Sequence, residues 1–192
     1  MNIVLHEPGI ALNTGNIGRS CAATDSSLHL IRPYGFHISE KEIKRAGMDY
    51  WDKIDLHEYI DYDDFLEKHP EISFGGAREE AGTEASEAYN NGDRSSLSKH
   101  TDSPAAEQND RAEGDAPRLW FATTKAHHAY TEVCFGPNDY IMLGNESRGI
   151  PEEILVQHPD ACIRIPMWGD IRSLNLANSA AIILYEALRQ NG

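Results

Sequence analysis

With 192 residues, 40% hydrophobic content and a net charge of −14, the chain has the size and composition of a single soluble domain built on one core. No apolar run approaches the roughly 20 residues that cross a bilayer, and the opening MNIVLHEP carries no basic leader, so a cytoplasmic protein without membrane contact is expected. Cys21, Cys134 and Cys162 are far apart and odd in number, which suggests neither a disulfide framework nor a zinc site; buried free thiols are expected.

In chain order, residues 2–5 read as a short apolar strand, 15–24 as a helix, 28–31 as a second strand and 39–46 as a helix. Ser39 followed by Glu42 has the form of a capping box. Residues 53–58 read as a strand and 63–68 as a helix. The composition then changes. Residues 75–117 hold ten acidic and four basic side chains, with only Tyr89 and Leu97 as large apolar residues. Such a stretch cannot offset the entropy of ordering it, so a disordered acidic surface insertion at about 75–117 is expected within one domain spanning 1–192. Strands follow at 119–122, 140–143 and 162–165, and helices at 151–156 and 174–189. The final helix carries Leu176, Ala180, Ile183, Leu184 and Leu188 along one side. Continuous apolar strands alternating with helices predict an α/β fold whose mostly parallel sheet has helices on both faces.

The familiar catalytic signatures are missing. The segment after the first strand lacks Gly-x-Gly-x-x-Gly, and Arg32 stands where a ribose-binding acid would follow the second strand. There is no phosphate-binding Gly-x-x-x-x-Gly-Lys loop, no His-Glu-x-x-His and no Gly-x-Ser-x-Gly elbow. The adjacent His127 and His128 lack ligand spacing, and no metal is expected. In the C-terminal third, two apolar runs each end in a loop rich in Gly, Pro and hydrogen-bonding side chains, and each loop leads into a helix. That is where an open α/β sheet builds a ligand site.

Three segments carry a specific pattern: Asn13-Thr14-Gly15-Asn16-Ile17-Gly18-Arg19, Gly144-x-Glu146-x-x-Gly149-Ile150-Pro151, and Arg172-Ser173-Leu174-Asn175. In order and context they resemble the three motifs of the trefoil-knotted (SPOUT) RNA 2′-O-ribose methyltransferases. Thr123-Thr124-Lys125 and Arg45-Ala46-Gly47-x-Asp49-Tyr50 strengthen the likeness. The chain is most similar to the small subfamily that methylates the wobble cytidine or uridine ribose of tRNA, over nearly everything except residues 75–117. The resemblance implies S-adenosylmethionine as cofactor, a C-terminal trefoil knot, and a homodimer whose chains share each active site, with the final helix and its late Tyr185 as the expected interface.

Carried over by position, the resemblance implies a cofactor pocket lined by Ala122, Thr123, Gly144, Glu146, Ile165, Met167, Ser173, Leu174 and Asn175. It implies Arg19 as the residue that engages the 2′-hydroxyl or its phosphate at the partner's cofactor, with Asn13, Glu146 and Asn175 completing the catalytic set. A guanidinium titrates above about pH 12, so orientation and charge stabilisation suit Arg19 better than general-base work. Lys41, Lys44 and Arg45 share a helix face and, with Arg19, Arg148 and Arg172, form a candidate RNA surface. Taken singly, each residue has an ordinary rival: Arg19 and the lysines as solvated side chains, residues 144–151 as a turn before a helix, Ser173 and Asn175 as helix caps. Two other functions stay open, the same chemistry on ribosomal RNA or another tRNA position, and a knotted module that binds RNA without catalysis.

Overall fold

The computed structural model describes residues 1–36, 50–76 and 115–192. The expected helix at 39–46, with Lys41, Lys44 and Arg45, and all but the ends of the expected insertion lie outside the described residues.

Eight strands form one sheet: β1 (Asn2–His6), β2 (Ser27–Ile31), β3 (Leu56–Tyr59), β4 (Ser73–Phe74), β5 (Arg118–Ala122), β6 (His128–Ala129), β7 (Tyr140–Leu143) and β8 (Cys162–Arg164). The order is β3-β2-β1-β7-β5-β8-β6, and every pairing is parallel. β4 pairs with the start of β5 at Arg118 and Leu119, while β8 pairs with its end at Phe121 and Ala122. The described helices are α1 (Ala11–Thr24), α2 (Tyr62–Lys68), α3 (Glu152–Leu155) and α4 (Leu176–Asn191).

Alternation along the strands sorts the core into two layers. Ile3 and Leu5 of β1 join Ile17 and Cys21 of α1 and Ala180, Ile183, Leu184 and Ala187 of α4 on one face. Val4 joins Phe65 of α2 and Ile154 and Leu155 of α3 on the other. The sheet is therefore covered on both faces, and the apolar stripe of the last helix packs on it. Tyr185, on the opposite side of α4, is exposed.

Several boundaries differ from expectation. α1 starts at Ala11, four residues before the expected start at Gly15, so Asn13 is helical rather than a loop residue, while Arg19 is helical as expected; two turns containing Gly15 and Gly18 fold because Ile17 and Cys21 bury a face that helix propensity alone would not hold. The strand expected at 53–58 is displaced to Leu56–Tyr59, after a single 3-10 turn at Trp51–Lys53. The two-residue strands β4 and β6 have too few residues to give any periodicity. At the C-terminal strand end, Arg164 closes β8 and Ile165 begins the following loop.

Candidate functional site

Four loops leave the C-terminal ends of β1, β5, β7 and β8 and surround one cavity of about 500 Å³. Residues 122–125 supply one wall, 143–150 a second, Ile165, Met167 and residues 172–175 a third, and Ser179 and Ile183 of α4 the floor. Its size matches a small-molecule or cofactor site, and its lining mixes aliphatic side chains with loop backbone in the way such sites do.

The wall at 144–150 is a closed loop. Asn145 and Gly149 exchange backbone hydrogen bonds of 3.2 and 2.7 Å, and Gly149 takes φ +75°. Gly144 has no room for a side chain, because a Cβ there would lie 2.1 Å from the carbonyl carbon of Gly149 and the nitrogen of Ile150. The Asn145 side chain holds the loop twice: its Oδ1 accepts from the Ser147 N–H at 2.9 Å, and its Nδ2 donates to the carbonyl of Glu7 at 2.7 Å. Glu7 itself sits at φ +50°, a left-handed conformation costly for a side chain of its kind, and Arg148 donates to its carboxylate at 2.9 Å. Sequence reasoning missed Asn145, whose signal is its place in an Asn-Glu pair directly after the close-packed glycine.

Glu146 reaches back across the sheet end to the loop that enters α1. Its carboxylate accepts from the Gly9 N–H at 2.8 Å, the Ile10 N–H at 3.2 Å and the Asn13 side-chain amide at 3.0 Å. Gly9 and the N-cap residue Ile10 stand just before α1, and Glu146 supplies a carboxylate for their N–H groups from 136 positions beyond Ile10. Asn13 Oδ1 in turn accepts from Asn175 Nδ2 at 3.0 Å. Asn175 is also the N-cap of α4, its Oδ1 accepting from the Ala177 N–H at 2.9 Å and the Asn178 N–H at 3.3 Å. Glu146, Asn13 and Asn175 thus form one chain of hydrogen bonds joining the three expected motifs. Ser173 is not the cap.

All nine expected cofactor residues, Ala122, Thr123, Gly144, Glu146, Ile165, Met167, Ser173, Leu174 and Asn175, line this cavity together with Asn13, Arg148 and Arg172. Arg19 does not line it. Its guanidinium lies over the ring of Tyr50, 4.6 Å from the centroid. Lys125 on the rim pairs with Glu152. Close by, burial holds the His6 imidazole below its ordinary range. Among the described residues no cluster of His, Cys, Asp or Glu could hold a metal ion, and no helix is long and apolar enough to cross a membrane. Cys21 and Cys162 are buried free thiols and Cys134 is a half-buried one.

Comparison with known proteins gives one consistent answer. The SpoU rRNA methylase family matches residues 1–93 and 83–185. A protein of Photorhabdus asymbiotica named tRNA (cytidine(34)-2′-O)-methyltransferase is 37% identical, across 100% of this chain and 94% of its own. A Yersinia pestis protein of the same name is also 37% identical over the same shares. Among solved structures, one described as giving structural insights into the 2-OH methylation of C/U34 on tRNA is 33% identical, with a TM-score of 0.72 over 99% of this chain and 95% of that one.

Proposed function

The chain belongs to the SpoU rRNA methylase family, and on that premise we propose that it transfers a methyl group from S-adenosylmethionine to the ribose 2′-hydroxyl of the wobble nucleotide, cytidine or uridine 34, of tRNA. The observation that carries this reading is that relatives named for that activity align from end to end, including every loop around the cavity. The residues present fit the methyl donor. Ile163, Ile165, Leu176 and Ile183 offer aliphatic surface for an adenine, Gly144 lets the backbone of its loop close tightly at the cavity wall, and 500 Å³ accommodates a ligand of that size.

The bound donor supplies an already electrophilic methyl group, so the protein's task is alignment, water exclusion and handling of the hydroxyl proton. Ala122, Thr123, Gly144, Ile165, Met167, Ser173 and Leu174 hold the donor. Glu146, Asn13 and Asn175 act as the frame that fixes those loops, since their polar atoms are spent on one another and on backbone. Arg19 orients the 2′-oxygen and stabilises the negative charge it gains as its proton leaves, a charge that is consumed again when the oxygen takes up the methyl group. Because Arg19 is absent from the cavity of its own chain, each site is completed by Arg19 of the partner subunit in a homodimer, with exposed Leu12 of α1 and Ile182 and Tyr185 of α4 in the interface. A trefoil knot around the donor and an RNA surface formed by Lys41, Lys44, Arg45, Arg148 and Arg172 belong to the same proposal.

The test is nucleoside mass spectrometry of bulk tRNA and rRNA incubated with the protein and methyl-labelled S-adenosylmethionine. Label in a 2′-O-methylpyrimidine at position 34 is the expected result. Label in rRNA alone overturns the substrate, and donor binding without transfer to either RNA overturns the enzymatic reading.

A further inference from the structure

The segment that follows the second expected helix touches the catalytic machinery at one point. Tyr50 lies against α1: its hydroxyl donates to the Gly15 carbonyl at 2.8 Å, and its ring lies under the Arg19 guanidinium, one helical turn further on. The next residues lock this arrangement. Trp51 and Ile54 close onto Gly18, where a Cβ would stand 2.7 Å from Ile54 Cδ1 and 3.4 Å from the Trp51 ring. Tyr50 is therefore seated on α1 from both sides, by its hydroxyl and by the neighbouring 3-10 turn at Trp51–Lys53.

We infer that Tyr50 is the positioning residue for Arg19, an aromatic platform that sets the direction of the guanidinium while leaving its charge and donors free for substrate. This rests on the reading of Arg19 given above. The physical contrast is with the cations that the protein pairs with carboxylates. Arg32 pairs with Glu58, Lys125 with Glu152, Arg148 with Glu7 and Arg189 with Glu186. Each of those carboxylates neutralises the cation and occupies one or more of its N–H groups. Arg32 and Lys68 also lie over tyrosine rings, but both have a carboxylate besides. Among the described residues Arg19 has no carboxylate partner; it has a ring. A π-face attracts a guanidinium without accepting any of its in-plane hydrogen bonds, so all five donors at its edge remain available to a ribose oxygen or a phosphate. The glycine at 18 lets Trp51 and Ile54, which follow Tyr50, close onto the helix.

The experiment compares Tyr50→Phe, Tyr50→Trp, Tyr50→Leu and Arg19→Ala in steady-state tRNA methylation, with S-adenosylmethionine affinity and thermal melting measured on each. If the ring is what matters, Tyr50→Phe and Tyr50→Trp stay within about 3-fold of wild-type kcat, and Tyr50→Leu loses about 3- to 30-fold in kcat with donor affinity unchanged. NMR provides a readout independent of activity: the ring-current shift of the Arg19 Hδ protons is retained in Tyr50→Phe and lost in Tyr50→Leu. Equal losses in Tyr50→Phe and Tyr50→Leu overturn the inference in favour of a structural role for the hydroxyl. So does an unchanged kcat in Tyr50→Leu when Arg19→Ala is inactive. A fully active Arg19→Ala instead overturns the reading of Arg19 itself. Should Tyr50→Leu not fold, the Phe and Trp variants and their Arg19 shifts decide.

Discussion

The two ends of the parallel sheet are both laced with polar contacts, and they use them in opposite ways. At the leading end, polar groups face inward and satisfy one another. Asp139, wholly buried before β7, accepts from the Arg118 and Gly136 backbone N–H groups at 2.8 and 2.9 Å and from the Trp120 indole at 2.8 Å. His29 hydrogen-bonds to Tyr59 at 2.8 Å, Tyr59 to His69 at 2.7 Å, and His69 to Tyr140 at 3.1 Å. At the trailing end, Glu146, Asn13 and Asn175 satisfy one another around an open space. The first arrangement closes the core; the second keeps loops apart at a fixed distance. The same hydrogen-bond chemistry thus gives stability at one end and a preorganised cavity at the other.

Gly144→Ala strikes the trailing end hardest. A Cβ within 2.1 Å of the Gly149 backbone cannot be accommodated without opening the loop, so donor binding should fall below detection in calorimetry. Asp139→Ala attacks the leading end and leaves three donors without their acceptor. We expect a loss of about 3 kcal/mol in urea unfolding, with methylation per folded molecule unchanged. An equal loss of activity and stability in that variant would erase the distinction between the ends. Glu146→Gln sharpens it from the other side: replacing charge-assisted acceptors should weaken donor binding by about 10- to 30-fold while barely shifting the melting temperature.

The smallest expected effect is a pH dependence. Burial, with help from His57 and His69, pushes the His29 imidazole down to about 3 from 6.5. The folded state keeps His29 neutral, whereas the unfolded chain takes up a proton below pH 6.5. Its contribution is therefore complete above that pH and is lost progressively as the pH falls towards 3. Between pH 6.5 and 5 it should remove about 1.5 kcal/mol from the unfolding free energy. His29→Gln should flatten that part of the stability profile; an unchanged slope would mean that His29 is not the group responsible.

Much of the trailing end was legible in the sequence because its residues are constrained by type. Gly144 and Gly149 have to be glycine for steric reasons, and Glu146, Asn13 and Asn175 are marked by their places in the three motifs that carry the family resemblance. The α/β layering was legible too, since β1, β5 and β7 are buried on both faces and read as continuous apolar runs. What stayed hidden was pairing. No periodicity indicates that Glu146 binds Gly9 and Ile10 through backbone N–H groups, which are the same for every residue type, or that His29, Tyr59, His69 and Tyr140 from four separate elements meet. The start of α1 lies four residues earlier than expected because its N-cap is Ile10, which has no capping side chain to mark it in the sequence.

The position of β1 has a kinetic consequence. It lies between β2, which follows within 25 residues, and β7, whose Tyr140 pairs with Asn2. During synthesis one edge of that apolar strand waits, unpaired, for a neighbour made well over a hundred residues later, and the Asn13–Asn175 bond waits 162. The nascent chain thus carries an open, sticky strand edge through most of its translation, and the Glu146–Asn13–Asn175 frame is among the last contacts to form. Until β7 has emerged that edge is open to pairing with other chains, and the loops around the cavity have no fixed spacing before α4 is made.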